Sequence, residues 1–249
     1  MDQQGIDHRE LRQMTDQVDH LHHETMRTIH DELFEAHLGA GNARRAGDRR
    51  QFLKAVGAGG AVAAFASTTV SLASLTPAAF AESTTASLTS GDLAIIQFAQ
   101  GLELAAVAVY RAAVDAGRLD TMAGEVARTF ELHHADHATA LGTLAGKAAP
   151  NVANSQLVQL FEPRITRSTD AKEVMRVLYD LEEGAAATYE LALGAIEQGT
   201  TAAPVATILP VEGQHAVVWG QALDLRREQW LPARQSTDGA LDPSQYATS

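Results

Sequence analysis

The sequence predicts an all-α protein: a four-helix bundle with a long crossover between its second and third helices. Three observations lead there. The first is an internal repeat: Leu102-Glu103 followed by Tyr110 recurs as Leu181-Glu182 followed by Tyr189, and each copy is later followed by His-Ala-x-x-(Leu/Trp)-Gly, at residues 137–142 and 215–220. The offsets are 79 and 78 residues, so one helix pair occurs twice with a single-residue slip. The second is composition. The 249-residue chain is 45% hydrophobic but only 5% aromatic and rich in alanine, which loses no side-chain entropy in a helix, whereas alternating β-branched residues are scarce. The third is the connection over 147–169, which holds Pro150 and Pro163 and is longer than antiparallel neighbours need.

The elements follow from their punctuation. A helix over 92–116, capped by Thr89 or Ser90 and stopped by Gly117, precedes one over 120–145 stopped by Gly146. The connection holds a short helical piece near 155–161. Asp170, with Glu173 three residues on, opens a third helix over 170–198, ahead of Gly199. A fourth begins near Pro210, whose missing N–H suits a first turn, and ends before Pro232. The bundle domain therefore spans 82–231, and 232–249 reads as a coil tail.

Periodicity points certain polar residues inward. The stripe Ile96, Ala99, Glu103, Ala106, Tyr110, Ala113 is apolar but for Glu103 and Tyr110, and Met175, Leu178, Glu182, Ala185, Tyr189, Ala192, Ile196 repeats the pattern. A carboxylate buried alone costs several kcal/mol, so each needs a proton, a partner or a cation. On the second helix, Glu131 with His134, or His134 with His137, stand three residues apart. The stripe Phe130, His134, His137, Leu141, Leu144 favours the second pair, and the repeat aligns His137 with His215 and His134 with Glu212; Glu131 is the alternate. On the fourth helix Glu212 and His215 share one face, one turn apart.

Other classes are excluded by what the chain lacks. A formal charge of −12, with no basic cluster outside the leader, argues against nucleic acid. There is no cysteine, which leaves carboxylate and imidazole as metal ligands. No Ser/His/Asp set at convincing spacing, phosphate loop or nucleotide fingerprint is present.

Ahead of the bundle, Asp48-Arg49-Arg50-Gln51-Phe52-Leu53-Lys54 opens a mildly apolar run over 55–75, and Ala79-Phe80-Ala81 puts small residues at the two positions a signal peptidase reads. Residues 48–81 resemble a twin-arginine export signal, which implies the export machinery as a partner, an extracytoplasmic destination in the envelope or medium, and no membrane attachment after cleavage. The alternative is an uncleaved transmembrane anchor, for which the Gly and Ser content is poor. Residues 1–47 form a charged extension whose apolar positions Leu11, Met14, Val18, Leu21, Ile29 and Leu33 suggest an amphipathic helix. His8, His20, His22, His23, His30 and His37 lie there with no second element pairing with them, so the extension reads as part of a discarded leader or as residues upstream of a true start at Met14 or Met26.

Glu103 with Tyr110, the second-helix histidines, Glu182 with Tyr189, and Glu212 with His215 together resemble the ferritin-like superfamily, and within it the exported bacterial ferritin-like proteins carrying a twin-arginine signal, over 88–231. The resemblance implies a ferritin-like four-helix bundle holding one or two iron or manganese ions, with Glu103 and Glu182 as terminal ligands, Glu212 as a bridge, and His137 and His215 as imidazole ligands. Glu183 is the fallback for Glu182. His134 stands where a second bridging Glu belongs, and a neutral imidazole cannot bridge as a carboxylate does. Tyr110 and Tyr189 are either hydrogen-bonders or electron donors to the ligands, or core residues whose hydroxyls a neighbouring Glu satisfies.

Two functions follow from this: di-metal oxidase or ferroxidase-like redox chemistry with dioxygen or peroxide, or a non-catalytic structural, stress-related or metal-sequestering envelope protein. A storage cage is the minor reading, since the tail offers no fifth amphipathic helix. Metal identity and a homo-oligomeric state stay open.

Overall fold

The computed structural model describes residues 6–37, 88–232 and 236–246, with no side-chain description of residues 28 and 30–37. The twin-arginine-like segment, with Arg49, Arg50, Phe52, Leu53, Ala79 and Ala81, lies outside the described residues, as do the side chains of His30 and His37. The described residues form helices and contain no strand. In chain order these are α1 (His8–His37), α2 (Ser90–Asp115), α3 (Thr121–Ala145), α4 (Ser155–Arg167), α5 (Ala171–Ala195), α6 (Gly199–Ala222) and α7 (Arg227–Trp230). The bundle is α2, α3, α5 and α6. α2 lies chiefly against α3 and α5 against α6, and α4 in the crossover rests on α2 and α5.

Local signals explain most boundaries. Thr89, Asp120 and Asp170 each cap a helix by accepting from the backbone N–H three residues on, at Asp92, Ala123 and Glu173. The chain leaves α2 at Gly117, whose φ of 63° is open to glycine at no steric cost. α2 has the length and apolarity of a membrane span, with a mean hydropathy of 1.6, but 67% of that window is buried within the bundle, as suits a core helix. In the two repeats, a Cβ at Gly142 would lie 2.3 Å from Gln100 Nε2, and one at Gly220 2.4 Å from Trp230 Cβ. The glycine closing each His-Ala-x-x-(Leu/Trp)-Gly tail is therefore a point of close approach.

The fourth bundle helix departs from expectation. α6 begins at Gly199 and runs through Pro204 and Pro210 to Ala222, so Pro210 is not a first-turn residue. Each proline removes one ladder hydrogen bond, but the early turns carry Val205 and Ile208 into a cluster with Ile96, Leu141 and Tyr189. Burying two branched side chains contributes about 3–6 kcal/mol, enough to offset the missing bonds. The helix also ends at Ala222, well short of its proline limit at Pro232, in a turn leading to α7. α5 likewise stops at Ala195, because buried Asp92 accepts from the backbone N–H groups of Glu197 (2.9 Å) and Gln198 (3.1 Å) and fixes them in the α5–α6 turn.

The N-terminal extension is a second correction. α1 is an amphipathic helix, but it is docked on α3 and α6. Its buried face is Leu11, Thr15, Val18, His22, Met26 and Ile29, whereas Leu21, read as apolar-facing, is 47% exposed. Met26 and Ile29 pack on Ala140 of α3. Exposed pairs between Arg12 and Glu125 (2.9 Å) and between His8 and Asp120 (3.4 Å) lie along the same seam and contribute little individually. The tail is likewise attached: Leu241 is buried against Gly184, and its N–H donates to Thr188 Oγ1 at 2.7 Å.

Candidate metal centre

Glu103 from α2, His134 and His137 from α3, Glu182 from α5, and Glu212 and His215 from α6 converge at the bundle centre, each essentially inaccessible to solvent. Their ligating atoms fall into two overlapping sets: Glu103, His134, His137, Glu212, and His134, Glu182, Glu212, His215, the atoms within each set lying within 4.8 Å of one another. Glu212 and His134 belong to both. Glu103 with His137 and Glu182 with His215 mark the two ends, so the sequence repeat becomes an approximate two-fold relation across the site.

The alternates fall outside it. Glu131 is drawn away by Arg111, which donates to it at 2.7 and 3.0 Å. Glu183 is half-buried beside Tyr179 and Asp180, and burial and the Asp180 charge raise its pKa. If position 131 is no ligand, Glu131→Ala retains the wild-type metal content, whereas His137→Ala loses at least half. Metal analysis of purified protein checks this, and the reverse result would restore the Glu131 register.

The two tyrosines cross between helices. Tyr110 of α2 donates to Glu182 Oε1 of α5, and Tyr189 of α5 donates to Glu103 Oε1 of α2. Trp219 Nε1 in turn donates to the Tyr110 hydroxyl at 2.7 Å, while Leu141, at the equivalent place in the other repeat, packs in the cluster of Tyr189. Burial beside carboxylates raises both phenol pKa values well above the ordinary value, so both remain protonated donors.

His134 lies between the end carboxylates, its Nδ1 2.7 Å from Glu103 Oε2 and its Nε2 3.1 Å from Glu182 Oε1. Burial pushes its pKa down, but Glu212 and Glu182 and the bonds to Glu103 and Glu182 lift it well above 6.5. Both nitrogens then carry protons, and the imidazolium is itself the cation between two carboxylates. Burial opposes ionisation of Glu103, yet His137 and His134 hold it down to about 2; Glu182 is lowered likewise by His134 and His215. Burial disfavours a charge on His137, but Glu103 and then Glu212 raise it to about 9. Burial and the Glu103 charge push Glu212 up to about 8, and burial takes His215 down to about 4. The two end carboxylates are thus held toward their ionised form against raised imidazoles, with Glu212 pushed toward its protonated and His215 toward its neutral form, so that charges offset one another in the buried centre.

Whether these residues suit a metal is decided by groups that the neutral network leaves over. Glu212 Oε1 and Oε2 and His137 Nδ1 and Nε2 are buried with no hydrogen-bond partner, although His137 Nδ1 is only 2.9 Å from Glu212 Oε1. Buried polar atoms are rarely left so. A carboxylate and an imidazole aimed together without hydrogen-bond alignment are ligand atoms directed at a common point, and the oxygen–nitrogen donor set suits divalent first-row metals.

The sequence reading missed His133, His22 and Asp19. His133 is 1% exposed, with Nδ1 3.0 Å from His215 Nε2 and Nε2 3.0 Å from Asp19 Oδ1 of α1. His22 stacks on His133 at 3.8 Å between ring centroids, with its Nε2 3.3 Å from Asp136 Oδ2. Among the N-terminal histidines, His22 therefore does have a partner element. Spacing held the signal, since His133 and His137 are one helical turn apart and Asp19 precedes His22 by three residues.

A bundle of this topology around carboxylates and imidazoles from all four helices defines a ferritin-like protein. A family model described as the ferritin-like domain matches residues 91–225, more than half of the chain, and the protein belongs to that family. Searches of curated proteins and of solved structures return no match.

Proposed function

We propose that the protein binds two divalent first-row metal ions, iron or manganese, one between Glu103 and His137 and the other between Glu182 and His215, with Glu212 shared. The observation that carries this reading is the pair of overlapping ligand sets meeting at a carboxylate without hydrogen bonds. Such ions would supply one-electron redox and Lewis-acid chemistry toward dioxygen or peroxide. The chain's own residues prepare the site: Tyr110 and Tyr189 orient the end carboxylates, while Phe130, stacked on His215 at 3.9 Å, and Trp219 keep water from the α6 side. His134, His137 and Glu212 hold the protons that loading must release. The test is metal content per mole of native, unrefolded protein, with about two ions per chain expected and none overturning the reading.

A second reading, a non-catalytic structural, stress-related or metal-sequestering role, is supported by His134. Its two bonds to Glu103 and Glu182 make a closed network without metal. The readings part at His134→Glu, which restores a symmetric set of four carboxylates and two imidazoles. Under this second reading wild type is only partly filled and the variant raises occupancy toward two ions per chain, whereas under the first wild type already holds about two. Unchanged occupancy would place the limit elsewhere.

Export by the twin-arginine route remains part of the proposal, on the Arg49-Arg50-x-Phe52-Leu53 run and Ala79-Phe80-Ala81. Arg49→Lys with Arg50→Lys is expected to leave full-length protein in the cytoplasm. A shortened product beginning at Glu82 in that double variant, seen by N-terminal sequencing, would rule the route out.

A further inference from the structure

His215 can serve as a ligand only if its Nδ1, which lies 3.3 Å from Glu182 Oε2 and 3.8 Å from Glu212 Oε2, carries no proton. The proton then belongs on Nε2, whose hydrogen-bond neighbour among the described residues is His133 Nδ1 at 3.0 Å. His133 must accept there, so its own proton sits on Nε2, 3.0 Å from Asp19 Oδ1. An ionised carboxylate only accepts, so Asp19 fixes the outer end of the chain and the polarity propagates inward: His215 Nε2–H to His133 Nδ1, then His133 Nε2–H to Asp19 Oδ1. The opposite polarity would set the His133 Nε2 lone pair against the Asp19 carboxylate. Glu182 Oε1 accepts from Tyr110 and His134, which leaves Oε2, 3.3 Å from His215 Nδ1, as the oxygen that would share a metal with that nitrogen. The relay is held in place by His22, whose ring stacks on His133.

We propose that Asp19, acting through His133, is a positioning residue for the metal centre, so that the N-terminal helix α1 sets the tautomer in which His215 binds metal. This rests on the metal-binding reading above and adds to it a part of the chain outside the bundle. Asp19 is partly exposed at the rim, so the same relay joins the buried centre to solvent and gives a proton leaving the site a path of two hydrogen bonds.

The experiment uses the full chain with Zn(II), a diamagnetic probe, and compares wild type with Asp19→Asn, Asp19→Glu and the exposed control Asp16→Asn. Asparagine keeps the size but can turn its amide to donate, which removes the fixed polarity. Asp19→Asn is expected to weaken Zn(II) binding about ten- to hundredfold, while Asp19→Glu recovers most of the loss and Asp16→Asn changes nothing. Long-range proton–nitrogen spectra of metal-free wild type should show both His133 and His215 protonated at Nε2, and Asp19→Asn should mix the tautomers. Wild-type affinity in Asp19→Asn, or His215 protonated at Nδ1 in metal-free wild type, would overturn the proposal while leaving metal binding intact. Failure of wild type to bind Zn(II) would instead sink the metal reading, and the metal-free tautomers would still decide the role of Asp19.

Discussion

Glu212→Ala is expected to take metal content from about two ions per chain to none, with the bundle still folded. Glu212 is the one carboxylate common to both ligand sets, so its loss opens both ends at once, whereas removing Glu103 or Glu182 spoils one set. The fold tolerates the change because neither Glu212 oxygen makes a hydrogen bond and the group is held protonated by burial and the Glu103 charge. Glu212→Gln, which keeps the volume, should lose metal equally and separates ligand loss from cavity formation. Metal analysis alongside far-ultraviolet circular dichroism reads both results. Metal retained near wild-type levels in either variant would remove Glu212 from the centre.

The second large effect is a pH-dependent stabilisation by metal. Glu212 and His137 both have folded pKa values raised above their ordinary values of 4.5 and 6.5, to about 8 and about 9. Their contributions to folding are fully present below those ordinary values and are lost as pH rises through about 8 and 9, so metal-free protein weakens between roughly pH 4.5 and 9, most steeply between 6.5 and 8 where both are being lost. Over the same window the protons competing for the ligand atoms leave, and metal binds more tightly. Free metal at a thousand times its Kd stabilises the fold by about 4 kcal/mol, and the gap between metal-loaded and metal-free Tm should widen steadily over that range. Glu103 works at the acid limit: its lowered pKa of about 2 gives a contribution present above 4.5 and lost as pH falls through 2. Thermal unfolding with Mn(II) and with chelator at several pH values checks this, and a gap independent of pH would mean that no proton is exchanged for metal.

The helix starts at Thr89, Asp120 and Asp170 were legible because a capping side chain acts on a backbone N–H three residues away, and such local chemistry leaves a local trace. The convergence of Glu103, Glu182, Glu212 and His215 was legible from the repeat, since two copies of one helix pair must present equivalent faces to a shared centre. The start of α6 was not, because the proline signal at 210 is local whereas the burial of Val205 and Ile208 is decided by other helices, through Tyr189 of α5 and Ile96 of α2, the latter about a hundred residues away. Asp19 was harder to see for the same reason: its spacing to His22 marks a shared helix face, but its partner His133 is 114 residues distant and nothing local names it.

The seat of α1 on α3 and α6 also constrains where the chain can reside. Residues 8–37 precede the apolar run over 55–75, and the bundle follows it. A chain threaded through a bilayer at that run would leave its amino-terminal helix on one side and its bundle on the other, with Asp19 and His133 divided by the thickness of the membrane. The docked arrangement is therefore incompatible with a single membrane crossing at that run, and removal of the leader along the proposed route would take α1 from its seat on the bundle. On the proposed export route, the contact of Asp19 with His133 would belong only to the stage before the leader is removed.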